Sequence, residues 1–189
     1  MRTCLPASLV EMDLDIGRWT DDGEIPEITS LLHRSYAPLA AMGFRFLATH
    51  QDEAVTLERL AGGESFIARD GGRIIGAISL YPPDSSGHCE WYALPGVPRF
   101  GQFRVLPECQ GLGVGSRLLD RIESRALELG AVELACDTAE GATHLIEMYS
   151  RRGYRLVGHA DWEETNYRSV ILSKGLGVGL EGGRLSPQG

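Results

Sequence analysis

Residues 103–130, FRVLPECQGLGVGSRLLDRIESRALELG, place Gly111, Gly113 and Gly115 between a short β-type run and a long amphipathic helix. Glycine near a helix is unfavourable by up to about 1 kcal/mol relative to alanine, so something must compensate. A strand that ends in a glycine loop and opens a helix aims several unpaired backbone N–H groups in one direction. The helix dipole adds partial positive charge at the same place. Without Cβ atoms in the way, an anion can approach that backbone closely, and the chemistry implied is phosphate binding. The pattern is not a Walker A loop, because no Lys-Ser or Lys-Thr follows the last glycine. It is not a dinucleotide fingerprint either, since the glycines follow the fourth expected strand rather than the first. A plain glycine-rich turn before a helix is the alternative on spacing alone.

Other reactive residue types give less. Cys4, Cys89, Cys109 and Cys136 form no C-x-x-C pair, and no histidine cluster stands at zinc spacing, so no metal site is expected. Cys109 lies beside the glycine loop but has no His or Asp partner in sight, and reads as structural.

The elements that must carry the loop are legible from periodicity. Residues 8–16 alternate apolar and polar and predict a first strand. Ile25, Ile28, Leu31, Leu32 and Tyr36 stand at helical spacing, with Pro26 in the first turn and Pro38 expected to end or kink the helix. Residues 52–63 predict a second, shorter helix. The runs SFIAR and RIIGAISLY, joined by Asp70-Gly71-Gly72, predict a β-hairpin. Residues 82–98 read as an irregular connection carrying Trp91 and Tyr92. A strand over 99–106 follows, and then a helix from Val114 to Leu129 with Val114, Leu118, Ile122, Ala126 and Leu129 on one face. A buried strand (131–136), a helix (142–153) and two strands (154–160 and 166–174) complete the order β-α-α-β-β-β-α-β-α-β-β. The expected fold is a single α+β domain over 1–174, with a mixed, mostly antiparallel central sheet flanked by helices. Residues 175–189, rich in glycine, are expected to form a flexible tail.

Composition narrows the function. The chain has 189 residues, 43% hydrophobic and 23% charged, an ordinary balance for one globular domain. Its net charge of −8 (18 basic against 26 acidic residues) argues against a nucleic-acid partner and allows a cationic substrate. No apolar run approaches the roughly 18 residues needed to span a bilayer, so no membrane partner is expected. Glu11, Asp13 and Asp15 interrupt anything resembling a signal peptide, which makes the cytoplasm the expected location.

Three segments in order resemble one family. Gln110-Gly111-Leu112-Gly113-Val114-Gly115 is similar to the Q/R-x-x-G-x-G/A loop of the GNAT N-acetyltransferase superfamily. Val105 to Glu108 (V-x-P-E) and MYSRRGYRLVG (Met148 to Gly158) also resemble that family, and the element order agrees over residues 8–174. The resemblance implies an acetyl-CoA-dependent N-acetyltransferase that moves an acetyl group to a primary amine of a small molecule or peptide by direct attack on the thioester. It implies that Gln110, Gly111, Leu112, Gly113, Val114, Gly115 and Ser116 hold the diphosphate of coenzyme A, chiefly through backbone N–H. It places Phe103, Arg104 and Val105 on a bulged strand that pairs with the pantetheine arm. Tyr149 stands where the family often has the tyrosine that protonates the departing thiolate; a core aromatic is the plain alternative.

The base that takes the amine's proton is left open among Glu90, His88, Asp137 and water, because residues 99–106 contain no Asp or Glu. Ala142 and Thr143 open the last helix where many relatives carry an asparagine that contacts the cofactor. Tyr36, Phe44, Phe46, Trp91 and Tyr92 could shape an acceptor site, and Arg99 or Arg45 could bind a substrate carboxylate. The partners implied are acetyl-CoA and an amine acceptor, with a homodimer left open. The alternative is a non-catalytic acyl-CoA-binding or regulatory domain of the same fold.

Overall fold

The structure, a computed structural model, describes residues 12–84 and 89–177. Seven strands form one sheet: β1 (Leu14–Arg18), β2 (Glu64–Asp70), β3 (Arg73–Tyr81), β4 (Arg99–Val105), β5 (Glu133–Ala139), β6 (Arg155–Asp161) and β7 (Arg168–Gly175). Their spatial order is β1-β2-β3-β4-β5-β7-β6, antiparallel throughout except for the parallel pair β4–β5. The helices are α1 (Ile25–Ala41), α2 (Glu53–Ala61), α3 (Val114–Glu128) and α4 (Thr143–Arg151). The fold is the expected α+β domain with a mostly antiparallel central sheet. The expected first strand falls on β1, but residues 8–11 lie outside the described residues, as do His88 and residues 178–189. Gly175 belongs to β7, and Leu176 is buried with its N–H donating to the Val132 carbonyl at 3.0 Å.

Two expectations about helices change. Pro38 does not end α1, which runs on to Ala41. It sits in the last turn, where a missing N–H removes only one backbone bond, and the Phe44 N–H closes the helix by donating to the Leu39 carbonyl at 3.1 Å. Leu129 is not on the core face of α3. The helix stops at Glu128, leaving Leu129 55% exposed, and Leu119 is buried instead beside Val114, Leu118, Ile122 and Ala126.

Side-chain alternation on β4 shows how the helices are layered. Gly115 of α3 lies against Phe103 and Val105, whereas Arg104 turns the other way, its guanidinium carbon 3.6 Å from the ring centroid of Tyr36 on α1. Helix α4 joins the α3 face: Arg152 pairs with Asp120 of α3 at 2.6 Å, and Tyr149 meets Phe100 and Phe103. The fully buried Phe66, Ile67, Ile75, Ile78, Leu118 and Ile122 fill the core between sheet and helices.

Candidate active site

A short 3-10 turn (Pro107–Cys109) leads from β4 into the glycine loop, and charge pins it. Glu108 accepts from Arg34 of α1 at 2.9 Å and from Arg73 of β3 at 2.7 Å. Its own backbone N–H, with those two guanidinium groups, lowers the pKa of the Glu108 carboxyl to about 2. Gln110 is committed inside the chain: its side-chain amide donates to the Val105 carbonyl at 3.0 Å and its backbone N–H to the Pro107 carbonyl at 3.3 Å. It therefore shapes the loop, and the free donors begin one residue later.

Gly111 and Gly113 have φ of +76° and +86°, a left-handed backbone that side chains with a Cβ rarely adopt. Gly113 is the N-cap of α3, and no side chain caps it; the first helical bond inside α3 runs from Arg117 N–H to the Gly113 carbonyl. By helix geometry the N–H groups of Val114, Gly115 and Ser116 have no intrahelical partner. A Cβ on Gly111 would stand in open space, the space an anion needs. A Cβ on Gly115 would come within 3.3 Å of the Phe103 ring, so that glycine lets α3 seat against β4. What this loop can do chemically is hold an anion such as a diphosphate.

Strand β4 then parts from β5. The parallel pair has a single register match, Arg99 with Ala135. On the other side, the β3–β4 register shifts between Ala77 and Ser79, whose partners are Arg104 and Gly101, so Gln102 and Phe103 together face one residue of β3. Gln102 carries the distortion with φ of +51°. The bulge changes the parity of the strand: Phe100, Phe103 and Val105 share the α3 face, while Arg99, Gly101 and Arg104 share the α1 face.

The gap between β4 and β5 opens into a cavity of about 580 Å³, lined from both faces of the sheet. Tyr149 and Phe103 contribute from one face, Tyr36 and Arg104 from the other. Tyr149 is held tightly. Gly153 (φ +89°) closes α4, the Tyr154 N–H donates to the Tyr149 carbonyl at 3.1 Å, and the two rings meet edge to face at 5.7 Å. The Tyr149 hydroxyl has no hydrogen-bond partner among the described residues, although the residue is only 4% exposed. Burial pushes its phenol well above the usual range, with the Arg104 cation pulling weakly the other way. Such a phenol keeps its proton at neutral pH.

The base candidates separate. Glu90 is exposed and does not line the cavity. Asp137 does line it, but its carboxylate accepts from the Tyr92 hydroxyl (3.0 Å), the Trp162 indole (3.1 Å) and the Ser169 hydroxyl (3.1 Å). Those three donors tie β5 to β7, the β6–β7 connection and residues 89–98, a clamp more than a free base. Of the proposed acceptor-site residues, Tyr36, Phe46, Tyr92 and Arg99 reach the cavity. Phe44, Trp91 and Arg45 do not: Phe44 packs edge-on against Tyr167, and Arg45 is exposed.

Sequence reasoning missed the end of β6 and the β6–β7 connection, where Asp161, Trp162, Glu163, Glu164 and Thr165 form one wall, and Arg59 of α2. No local pattern marks either, because only the tertiary fold brings them across. Cys109, beside the loop, is a buried free thiol with its pKa raised by burial.

Comparison with known proteins agrees with this geometry. The model of the acetyltransferase (GNAT) family matches residues 26–154. The chain is 32% identical over 140 residues to S-(2-succino)cysteine N-acetyltransferase of Bacillus subtilis (strain 168), covering 71% of this chain and 81% of that protein. It is 28% identical over 149 residues to S-alkylcysteine N-acetyltransferase of the same organism, covering 77% and 81%. The fold is similar to that of a GNAT family acetyltransferase from Elizabethkingia anophelis with acetyl-CoA bound, with a TM-score of 0.61 at 18% identity over 86% of this chain and 98% of that one.

Proposed function

Because this chain belongs to the acetyltransferase (GNAT) family, whose acetyl donor is acetyl-CoA, we propose that it acetylates the α-amine of an S-substituted cysteine or a similar amino acid. The observation that carries this reading is the cavity between β4 and β5, where Tyr149 and three arginines (Arg59, Arg99 and Arg104) face one volume. The names of the two relatives supply the acceptor class, and an acceptor of that class brings a carboxylate for which a guanidinium is a natural partner.

In this reading the amides from Gly111 to Ser116 hold the donor's diphosphate, and the β4 segment Phe103, Arg104 and Val105 lies against the pantetheine arm in the space the splay leaves. The acetyl donor supplies an activated thioester. The acceptor enters from the α1 face as an ammonium, loses one proton to water and attacks the thioester carbon directly as the neutral amine; the second N–H proton leaves to water as the tetrahedral adduct collapses. Acidic side chains at the cavity wall, Glu58, Asp84, Glu163 and Glu164 among them, favour the approach of the ammonium form. Tyr149 gives its proton to the leaving sulfur, a thiolate near pKa ~8.5 that a neutral phenol can protonate.

The test is thiol release. With acetyl-CoA and S-methylcysteine, or S-(2-succino)cysteine, free coenzyme A thiol and the N-acetyl product should appear together in proportion to enzyme. Thiol release no faster than in the amine-free control, with coenzyme A still raising the melting temperature, would replace this reading with a non-catalytic acyl-CoA-binding domain.

A further inference from the structure

The three cavity arginines differ in what already satisfies them. Arg99 lies 3.6 Å from the Asp84 carboxylate and over the rings of Tyr81 (5.1 Å) and Tyr92 (5.3 Å). Arg59 donates to the Gln51 side-chain oxygen at 2.8 Å. Arg104 has no carboxylate within ion-pair distance among the described residues, although the cavity wall holds six acids. Its only hydrogen bond among them is to the neighbouring Phe103 carbonyl at 3.0 Å, and its Nε is buried with no partner. Tyr36 underlies its guanidinium at 3.6 Å, which fixes the plane of the fork.

A second orphan lies on the same strand. Gln102, two residues along β4, is 2% exposed in the wall of the same cavity, and neither its amide oxygen nor its nitrogen has a partner. Buried polar groups are normally hydrogen-bonded. A cation and an amide left unpaired on one stretch of strand are a place prepared for a ligand's polar group. In a chain of net charge −8, a half-buried arginine without an acid stands out further.

We propose that Arg104 is the receptor for the α-carboxylate of the acceptor, and thereby the residue that makes an amino acid rather than a simple amine the substrate. The assignment rests on the acetyltransferase reading above. In an α-amino acid the amine and the carboxylate share one carbon, so the group that binds the carboxylate must sit beside the reacting nitrogen. Arg104 meets that requirement: it lies on the bulged strand and lines the same cavity as Tyr149, whereas Arg59 sits on α2 and Arg99 is paired at the start of β4. In that reading the strand that carries Arg104 borders the donor, while the Arg104 side chain lies on the α1 face over Tyr36.

The experiment compares S-methylcysteine with its carboxamide in the wild type, Arg104→Met and Arg104→Lys, recording kcat and KM for acceptor and for acetyl-CoA. In the wild type, the acid should exceed the amide by roughly 100-fold in kcat/KM. Arg104→Met should bring that ratio close to one, mainly by raising the acceptor KM, and Arg104→Lys should keep an intermediate ratio because it restores charge without the fork. An unchanged ratio in Arg104→Met, or a loss that falls on the KM for acetyl-CoA, would overturn the assignment. A wild-type enzyme that acetylates acid and amide equally overturns it while leaving the acetyltransferase reading standing; one that acetylates neither overturns both.

Discussion

Replacing Gly113 by valine should raise the KM for acetyl-CoA by about 100-fold. The residue holds φ of +86° at the N-cap of α3, and a β-branched side chain there costs about 1–3 kcal/mol of strain. The chain will relieve that strain by turning the peptide between residues 113 and 114, which re-aims the donors that the helix start presents. A backbone N–H hydrogen bond to a charged phosphate is worth about 1.5–3 kcal/mol, so losing one or two of them accounts for the 100-fold at about 1.4 kcal/mol per decade. A control separates strain from binding. Gly72, in the turn between β2 and β3, has φ of +88° and no atom within 4 Å of its Cβ position. Gly72→Val should lower the melting temperature by a few degrees, as Gly113→Val does, and leave the KM for acetyl-CoA within about two-fold. Equal effects of the two substitutions on KM would show that the loop does not hold the donor.

Tyr149→Phe should cut kcat by about 100- to 1,000-fold, with both KM values little changed. The ring fills the space between Phe100, Phe103 and Tyr154, and phenylalanine fills it equally well. Its hydroxyl has no partner among the described residues, so removal should change stability by less than about 0.5 kcal/mol. A core role and a chemical role thus predict opposite results: an intact kcat means Tyr149 only packs. The pH profile adds an independent reading. Because burial raises the phenol above its usual value near ~10, kcat/KM should climb as the acceptor amine loses its proton and then stay level to about pH 10. A fall below about pH 9 would mean that a different, more acidic group donates the proton.

Much of this was legible in the sequence because local physics wrote it there. The β-rich runs SFIAR and RIIGAISLY and the Asp70-Gly71-Gly72 turn specify a hairpin through short-range sterics alone, and the structure has β2 and β3 there. The glycines at 111, 113 and 115 mark a backbone that needs positive φ or close approach; the first two have the positive φ, and the third meets the Phe103 ring. Tyr149 was visible through its place in a motif. The acceptor wall was not. Asp161 to Thr165 reach the cavity because β6 pairs outside β7, far along the sheet from β4, and no window of sequence encodes that crossing. Arg104 was singled out for its backbone, since the bulge that turns its side chain toward Tyr36 depends on a register shift against β3. Asp137 stood among the open base candidates because a carboxylate at a strand end looks free until Tyr92, Trp162 and Ser169 are seen converging on it.

The central claim is that open main-chain amides at the start of α3 grip the donor's diphosphate while its thioester lies in the split between β4 and β5. A crystal structure of the protein with coenzyme A tests it most directly. Diphosphate oxygens within hydrogen-bonding distance of N–H groups in the segment 111–116, with the thiol beside Tyr149, is the predicted result. Coenzyme A seated away from that segment, or with its sulfur outside the cleft, would contradict it.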